Sequence, residues 1–155
     1  MSGDGIIIGA DHAGFHLKEA IKAHLTRRGL AVTDVGTAGP DPVDYPLHGA
    51  EAAARVSSGE FARCILICGS GIGMAIVANK FPDVRAAVCL DEDTARLGRL
   101  HNDLNVLCLA ARKTEPARAE KIVDTWLETA FEGGRHLRRI ERIRDIEARI
   151  CRPQR

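Results

Sequence analysis

Apolar and polar positions along this chain fall into short runs with two different spacings. Gly5-Ile-Ile-Ile-Gly9 is short and continuously apolar, the pattern of a strand buried on both faces. Over residues 15–28 the positions Leu17, Ala20, Ile21, His24 and Leu25 recur at helical spacing, and Gly29 suits the C-cap that ends such a helix. The alternation then repeats. Strands are expected at 31–35, 63–68, 86–90 and 105–110, and helices at 47–56, 73–79, 92–100 and 115–131. A Gly- and Pro-rich loop fills 36–46, and a Gly133-Gly134 break precedes a last helix over 137–150. Five strands separated by helices specify an α/β fold, a three-layer, doubly wound, five-stranded parallel sheet of Rossmann-like type with right-handed crossovers.

The 155 residues amount to one domain, enough to bury roughly 70% of the unfolded surface without staples. The final helix carries Leu137, Ile140, Ile143, Ile146 and Ile150, an apolar stripe beyond what a five-stranded core needs. The expectation is that residues 135–151 form a dimerisation helix packing on a partner subunit.

Charge excludes more than it selects. The 22 Lys and Arg nearly cancel 21 Asp and Glu, so nothing points to a nucleic acid or membrane partner. The balance shifts only at the end, where residues 135–155 hold eight arginines against three acidic residues, either a solvated helix face or an anion-binding wall. The five cysteines lie in apolar runs, and Cys64 and Cys68, four apart on one strand, are separated by about 13 Å and cannot pair. With no leader pattern and no apolar segment approaching about 18 residues, the expectation is a reduced, cytoplasmic protein. The cysteines and histidines show no metal-ligand spacing, so no metal and no cofactor are expected.

The richest chemistry lies in Ile65-Leu-Ile-Cys-Gly-Ser-Gly-Ile-Gly73, where an apolar strand ends in a thiol and opens into a glycine turn. Ligands of open α/β sheets bind at the carboxyl ends of strands, where free backbone amides cradle a phosphate or an oxyanion. A buried structural cysteine before an ordinary loop fits the same residues. The other strand ends bring Asp11-His12 and Arg112 to that edge, and Asp11 also suits a helix cap. His101-Asn102 precedes the fifth strand, at the opposite edge, where it is either loop chemistry or a contribution to a second copy's crevice. Arg135 and Arg139 share one helical face, as a phosphate clamp or a solvated pair.

Taken together, Ile8-Gly-Ala-Asp-His-Ala-Gly-Phe15, Asp44-Tyr-Pro46, Ile67-Cys-Gly-Ser-Gly-Ile-Gly73, Ala78-Asn-Lys80, His101-Asn-Asp-Leu-Asn105 and Glu132-Gly-Gly-Arg-His136 occur in one order across nearly the whole chain. The set resembles the type B ribose-5-phosphate isomerases, within the family that also isomerises allose and galactose 6-phosphates. That resemblance implies a metal-free aldose–ketose isomerase acting through an enediolate on ribose 5-phosphate and ribulose 5-phosphate, in the non-oxidative branch of pentose phosphate metabolism. By carry-over, Cys68 is the general base. Ser70 and the amides of Gly69, Gly71, Ile72 and Gly73 hold the enediolate oxygen, His101 opens the furanose ring, and Asp11 handles hydroxyl protons. His12, Arg112, Arg135 and Arg139 hold the phosphate, while Tyr45 and Asn102 contact the sugar. Some members replace the cysteine by a glutamate at the position of Met74; methionine takes no proton, so the resemblance selects the cysteine-base branch. Ser70 stands for the threonine of other cysteine members and keeps the hydroxyl. The family also implies a homodimer, with dimer against tetramer left open.

Two other readings compete. A dinucleotide enzyme needs G-x-G-x-x-G at the first turn, but Gly9-Ala-Asp-His-Ala-Gly14 places charged side chains where the pyrophosphate would approach. A non-catalytic sugar-phosphate sensor would keep the phosphate clamp without needing base, ring-opening histidine and oxyanion nest together. Ribose, allose, galactose and tetrose phosphates differ by single hydroxymethylenes, and discrimination of about 1–3 kcal/mol per group is not written in these motifs.

Overall fold

The computed structural model describes residues 3–151. Strands β1 (Gly3–Ala10), β2 (Val32–Asp34), β3 (Phe61–Cys68), β4 (Ala86–Val88) and β5 (Val106–Ala110) are joined in turn through helices α1 (Phe15–Arg27), α2 (Tyr45–Ser57), α3 (Ile72–Ala78) and α4 (Glu92–Asn102). Two more helices follow, α5 (Pro116–Glu128) and α6 (Arg135–Ile150). All five strands run parallel in the order β2-β1-β3-β5-β4.

That order dictates the layers. From β1 the chain steps outward through α1 to β2, then back across β1 through α2 to β3, and right-handed crossovers in opposite directions place their helices on opposite faces. On one face Ile6, Ile8, Ile65 and Ile67 pack with Leu17 and Ile21 of α1 and with Ile122 and Trp126 of α5. On the other, Ile7, Cys64, Leu66 and Cys108 meet Ala52 and Ala53 of α2 and Met74 and Ala78 of α3. Alternate side chains of each strand enter different cores, which is why the strands read as unbroken apolar runs. The winding reverses between β1 and β3 and leaves a crevice at their carboxyl ends.

Several elements differ in extent from the expectation, each with a local cause. β2 ends at Asp34 rather than 35, because its carboxylate accepts the Gly36 N–H at 2.8 Å and turns the chain. The same carboxylate accepts from Lys18 Nζ at 2.6 Å, and Lys18 also reaches the Thr37 carbonyl at 2.8 Å. A buried ammonium thus pins the start of the long loop to α1. Helix α5 stops at Glu128 rather than 131: Thr129 takes an extended backbone, and its carbonyl accepts from Arg99 Nε at 3.2 Å.

α6 splits the predicted apolar stripe. Ile140 is buried against its own chain together with His136, whereas Leu137, Ile143, Ile146 and Ile150 are exposed. The first turns of α6 rest on the body of the chain. Farther along, Ile143 and Glu147 line an open groove facing Leu97 and Asn102 of α4, about 570 Å³ in volume.

Candidate active site

β1 delivers Asp11 to the crevice. Its Oδ1 accepts the Gly14 N–H at 3.0 Å, so Asp11 shapes the entry to α1, as the capping reading expected, while its second oxygen is not engaged by that bond. His12 Nδ1 accepts the Val43 N–H at 3.1 Å. A neutral His12 therefore carries its proton on Nε2, the nitrogen that can donate to a ligand. Gly14 lies so close to β3 that a Cβ there would stand 2.6 Å from the Ile67 carbonyl oxygen.

β3 delivers Cys68, 5% exposed. Its Sγ accepts the Gly71 N–H at 3.2 Å, and Ser70 Oγ accepts the Ile72 N–H at 3.2 Å. Gly71 has φ of +75°, a left-handed conformation that lets the turn fold back over the sulfur. Arg112, after β5, lies across Gly69, where a Cβ would stand 2.8 Å from its guanidinium nitrogen. Tyr45, first residue of α2, closes the rim. Asp11, His12, Tyr45, Cys68, Ser70 and Arg112 thus line one cavity of about 400 Å³. It is smaller than the α4–α6 groove, yet here a thiol, a carboxylate, backbone donors and a cation converge.

The remaining thiols are unlike Cys68 in setting. Burial pushes the Cys64 and Cys108 thiols far up, and desolvation together with Asp91 pushes Cys89 up to about 12, so all three stay protonated. Cys151 is exposed and does not line the crevice.

His101, Asn102, Arg135 and Arg139 do not line this cavity. His101 and Asn102 end α4, which leads into the amino end of β5, the edge opposite Cys68. There the His101 ring stacks on His136 with centroids 4.3 Å apart and planes 14° from parallel. His101 Nε2 lies 3.8 Å and His136 Nε2 3.5 Å from the same Glu132 oxygen. Two imidazoles and a carboxylate are a donor set known for metals, gathered here although no sequence spacing announces it. The rings nevertheless run side by side, so an ion equidistant from both nitrogens would stand well out of each ring plane.

Lys18 and His136 are buried polar residues to which the sequence reading gave no role, although His136 closes the Glu132–His136 motif; each interrupts an otherwise apolar helix face, next to Leu17 and four residues before Ile140.

Residues 6–143 match the family described as Ribose/Galactose Isomerase. Ribose-5-phosphate isomerase B of Escherichia coli K12 is 47% identical over 144 residues, 93% of this chain and 97% of that protein. D-erythrulose-4-phosphate isomerase of Pectobacterium atrosepticum is 41% identical over 140 residues, 89% of this chain and 91% of that one. The solved structure of ribose-5-phosphate isomerase B from Mycoplasma genitalium with bound ribulose-5-phosphate superposes with a TM-score of 0.90 at 40% identity, covering 96% of this chain and 99% of the other.

Proposed function

From the premise that the chain belongs to the ribose/galactose isomerase family and is an isomerase of phosphorylated sugars, we propose that it interconverts ribose 5-phosphate and ribulose 5-phosphate with Cys68 as general base. The observation that carries this reading is the placement of the Cys68 sulfur at the carboxyl end of β3, accepting the Gly71 amide and sharing one cavity with Asp11, Ser70 and Arg112.

The steps follow from the groups present. The furanose opens when His101 of a second copy protonates the ring oxygen: the C1–O4 bond breaks toward oxygen, and the C1 hydroxyl gives its proton to Asp11 as the aldehyde forms. Cys68 then removes the proton on C2. The electron pair moves into a C1–C2 double bond, and the negative charge gathers on the C1 oxygen, met by the Ser70 hydroxyl and the amides of Gly69, Gly71, Ile72 and Gly73. Asp11 moves a proton between the two hydroxyl oxygens, and Cys68 returns the proton to C1, giving the ketose. His12 through Nε2, Arg112, and Arg135 and Arg139 of the second copy hold the phosphate. Tyr45 and Asn102 border the sugar.

This assignment makes each crevice complete only in a homodimer, with α6 and its exposed Leu137, Ile143, Ile146 and Ile150 covered by the partner. Among the described residues no helix is long and apolar enough to cross a membrane, and the free thiols suit the reducing cytoplasm where we place the enzyme.

A tetrose 4-phosphate is the second reading, favoured by the Pectobacterium relative. The test is a comparison of kcat/KM for ribose 5-, allose 6-, galactose 6- and erythrose 4-phosphates, with the parent enzyme and Cys68→Ala. We expect ribose 5-phosphate to lead and Cys68→Ala to lose on the order of a hundredfold or more. A higher kcat/KM on another sugar replaces the substrate. Near-parent rates in Cys68→Ala, with Cys64→Ala as the buried-thiol control, remove the thiol from the mechanism.

A further inference from the structure

We propose that His136 is a positioning residue for ring opening: its buried imidazole is the flat platform that holds the His101 ring at the angle from which it protonates the furanose oxygen. The inference rests on the reading of His101 as the ring-opening acid and adds a residue to it.

The two side chains differ sharply in setting, His136 being 5% and His101 39% exposed. His101, in the last turn of α4, has no hydrogen-bond partner among the described residues; its nearest carboxylate oxygen, on Glu132, stands 3.8 Å away. What fixes its plane is the stack on His136, 4.3 Å between centroids. His136 in turn is fixed by backbone. Gly133 and Gly134 both take positive φ, 72° and 56°, and the tight turn they allow starts α6 immediately, with the His136 N–H donating to the Gly133 carbonyl at 3.1 Å. The Glu132 N–H donates to the Leu100 carbonyl at 3.1 Å, which ties the same turn to α4.

The platform is also kept uncharged. His136 Nε2 is buried and has no hydrogen-bond partner among the described residues, and the charged groups around the ring are His101, Glu132, Arg135 and Arg139. Desolvation, then His101, Arg135 and Arg139 favour the neutral ring, against Glu132 alone. A neutral imidazole under His101 accepts a protonated partner on its π face, whereas a charged one would repel it. His136 is therefore suited to support the imidazolium that ring opening consumes. The parallel planes that make it a good platform make it a poor partner in a chelate.

The chemistry of the substrates supplies a clean test. Ribose 5-phosphate is a furanose and needs opening. 4-Deoxyribose 5-phosphate cannot close, because it lacks the oxygen that would form its furanose, so its isomerisation in the same direction starts from an open chain. We expect His136→Ala to lose at least tenfold in kcat/KM on ribose 5-phosphate and to stay within threefold of the parent on 4-deoxyribose 5-phosphate. His136→Phe, which keeps a flat uncharged ring, should recover most of the ribose 5-phosphate rate. An equal loss on both aldoses in His136→Ala, or no recovery in His136→Phe with normal circular dichroism, overturns the platform. If His101→Ala itself loses equally on both aldoses, the ring-opening reading of His101 fails instead. Loss of activity in the chelator-treated parent, restored by zinc, would make the trio a metal site and overturn the proposal.

Discussion

Replacing Gly69 with alanine should damage phosphate binding while leaving the fold intact. A Cβ at Gly69 would stand 2.8 Å from one Arg112 guanidinium nitrogen, 2.9 Å from its central carbon and 3.1 Å from Nε. Ordinary contact begins near 3.4 Å, so the guanidinium must retreat by several tenths of an ångström. Arg112 is an exposed, flexible side chain, and Gly69 does not take a positive φ, so the stability cost should stay within about 1 kcal/mol. The functional cost is larger. A hydrogen bond to a charged partner contributes about 1.5–3 kcal/mol, which corresponds to roughly 10- to 150-fold in kcat/KM if the displaced guanidinium no longer reaches the phosphate. The assay is steady-state kinetics of Gly69→Ala, Arg112→Ala and the double variant. If the methyl acts by moving the guanidinium, Gly69→Ala should be nearly silent once Arg112 is gone. Additive losses in the double variant would show that the methyl acts elsewhere, on the loop amides for instance, and the reasoning would be refuted.

Other expectations are as direct. Cys68→Ala and His101→Ala, each inactive alone, should regain about a quarter of the parent activity when unfolded and refolded together, because random pairing gives mixed dimers with one intact site; inactive mixed dimers would show both residues acting within one chain. Although burial disfavours the Asp34 carboxylate, hydrogen bonds from Lys18, Lys22 and the Gly36 amide hold it below the ordinary carboxylate range. Its stabilisation is therefore present above about pH 4, the ordinary value, and lost as pH falls through the lowered one. Asp34→Asn should flatten the acid limb of a pH–stability curve, and Asp34→Ala, which strips the buried Lys18 of its main partner, should cost about 3 kcal/mol in urea unfolding. Prolonged dialysis against a chelator should leave the rate unchanged, read in the same assay with and without added zinc.

The sheet was legible because parallel strands covered on both faces leave continuous apolar runs that few other structures produce. Even so, β2 and β4 are three residues each, shorter than their apolar runs. Each has a neighbour on one side only, and β2 stops where Asp34 turns the chain; hydrophobicity marks neither event. In the crevice, Asp11, Cys68 and Arg112 were readable from one rule, that strand ends converge once the topology is right. His12 was readable as a residue, but the nitrogen it offers was not, since that depends on the amide of Val43, 31 residues away. The pairing of His101 with His136 was hidden for a related reason: it depends on a double-glycine turn whose direction no periodicity encodes. The stripe of α6 misled at Ile140, because one helical face carries both a contact with its own chain and the residues left exposed.

The approach of Gly14 to the Ile67 carbonyl has a consequence for tolerance to change. Asp11 and Cys68 sit just before and just after two stretches of main chain in direct contact, so the width of the crevice is a backbone dimension rather than the sum of side-chain fits. Substitutions in either core that loosen packing should shorten the protein's lifetime well before they alter which sugars it accepts. Drift in thermal robustness and drift in selectivity can thus proceed along separate sets of positions, and a library aimed at new substrates can leave both cores untouched.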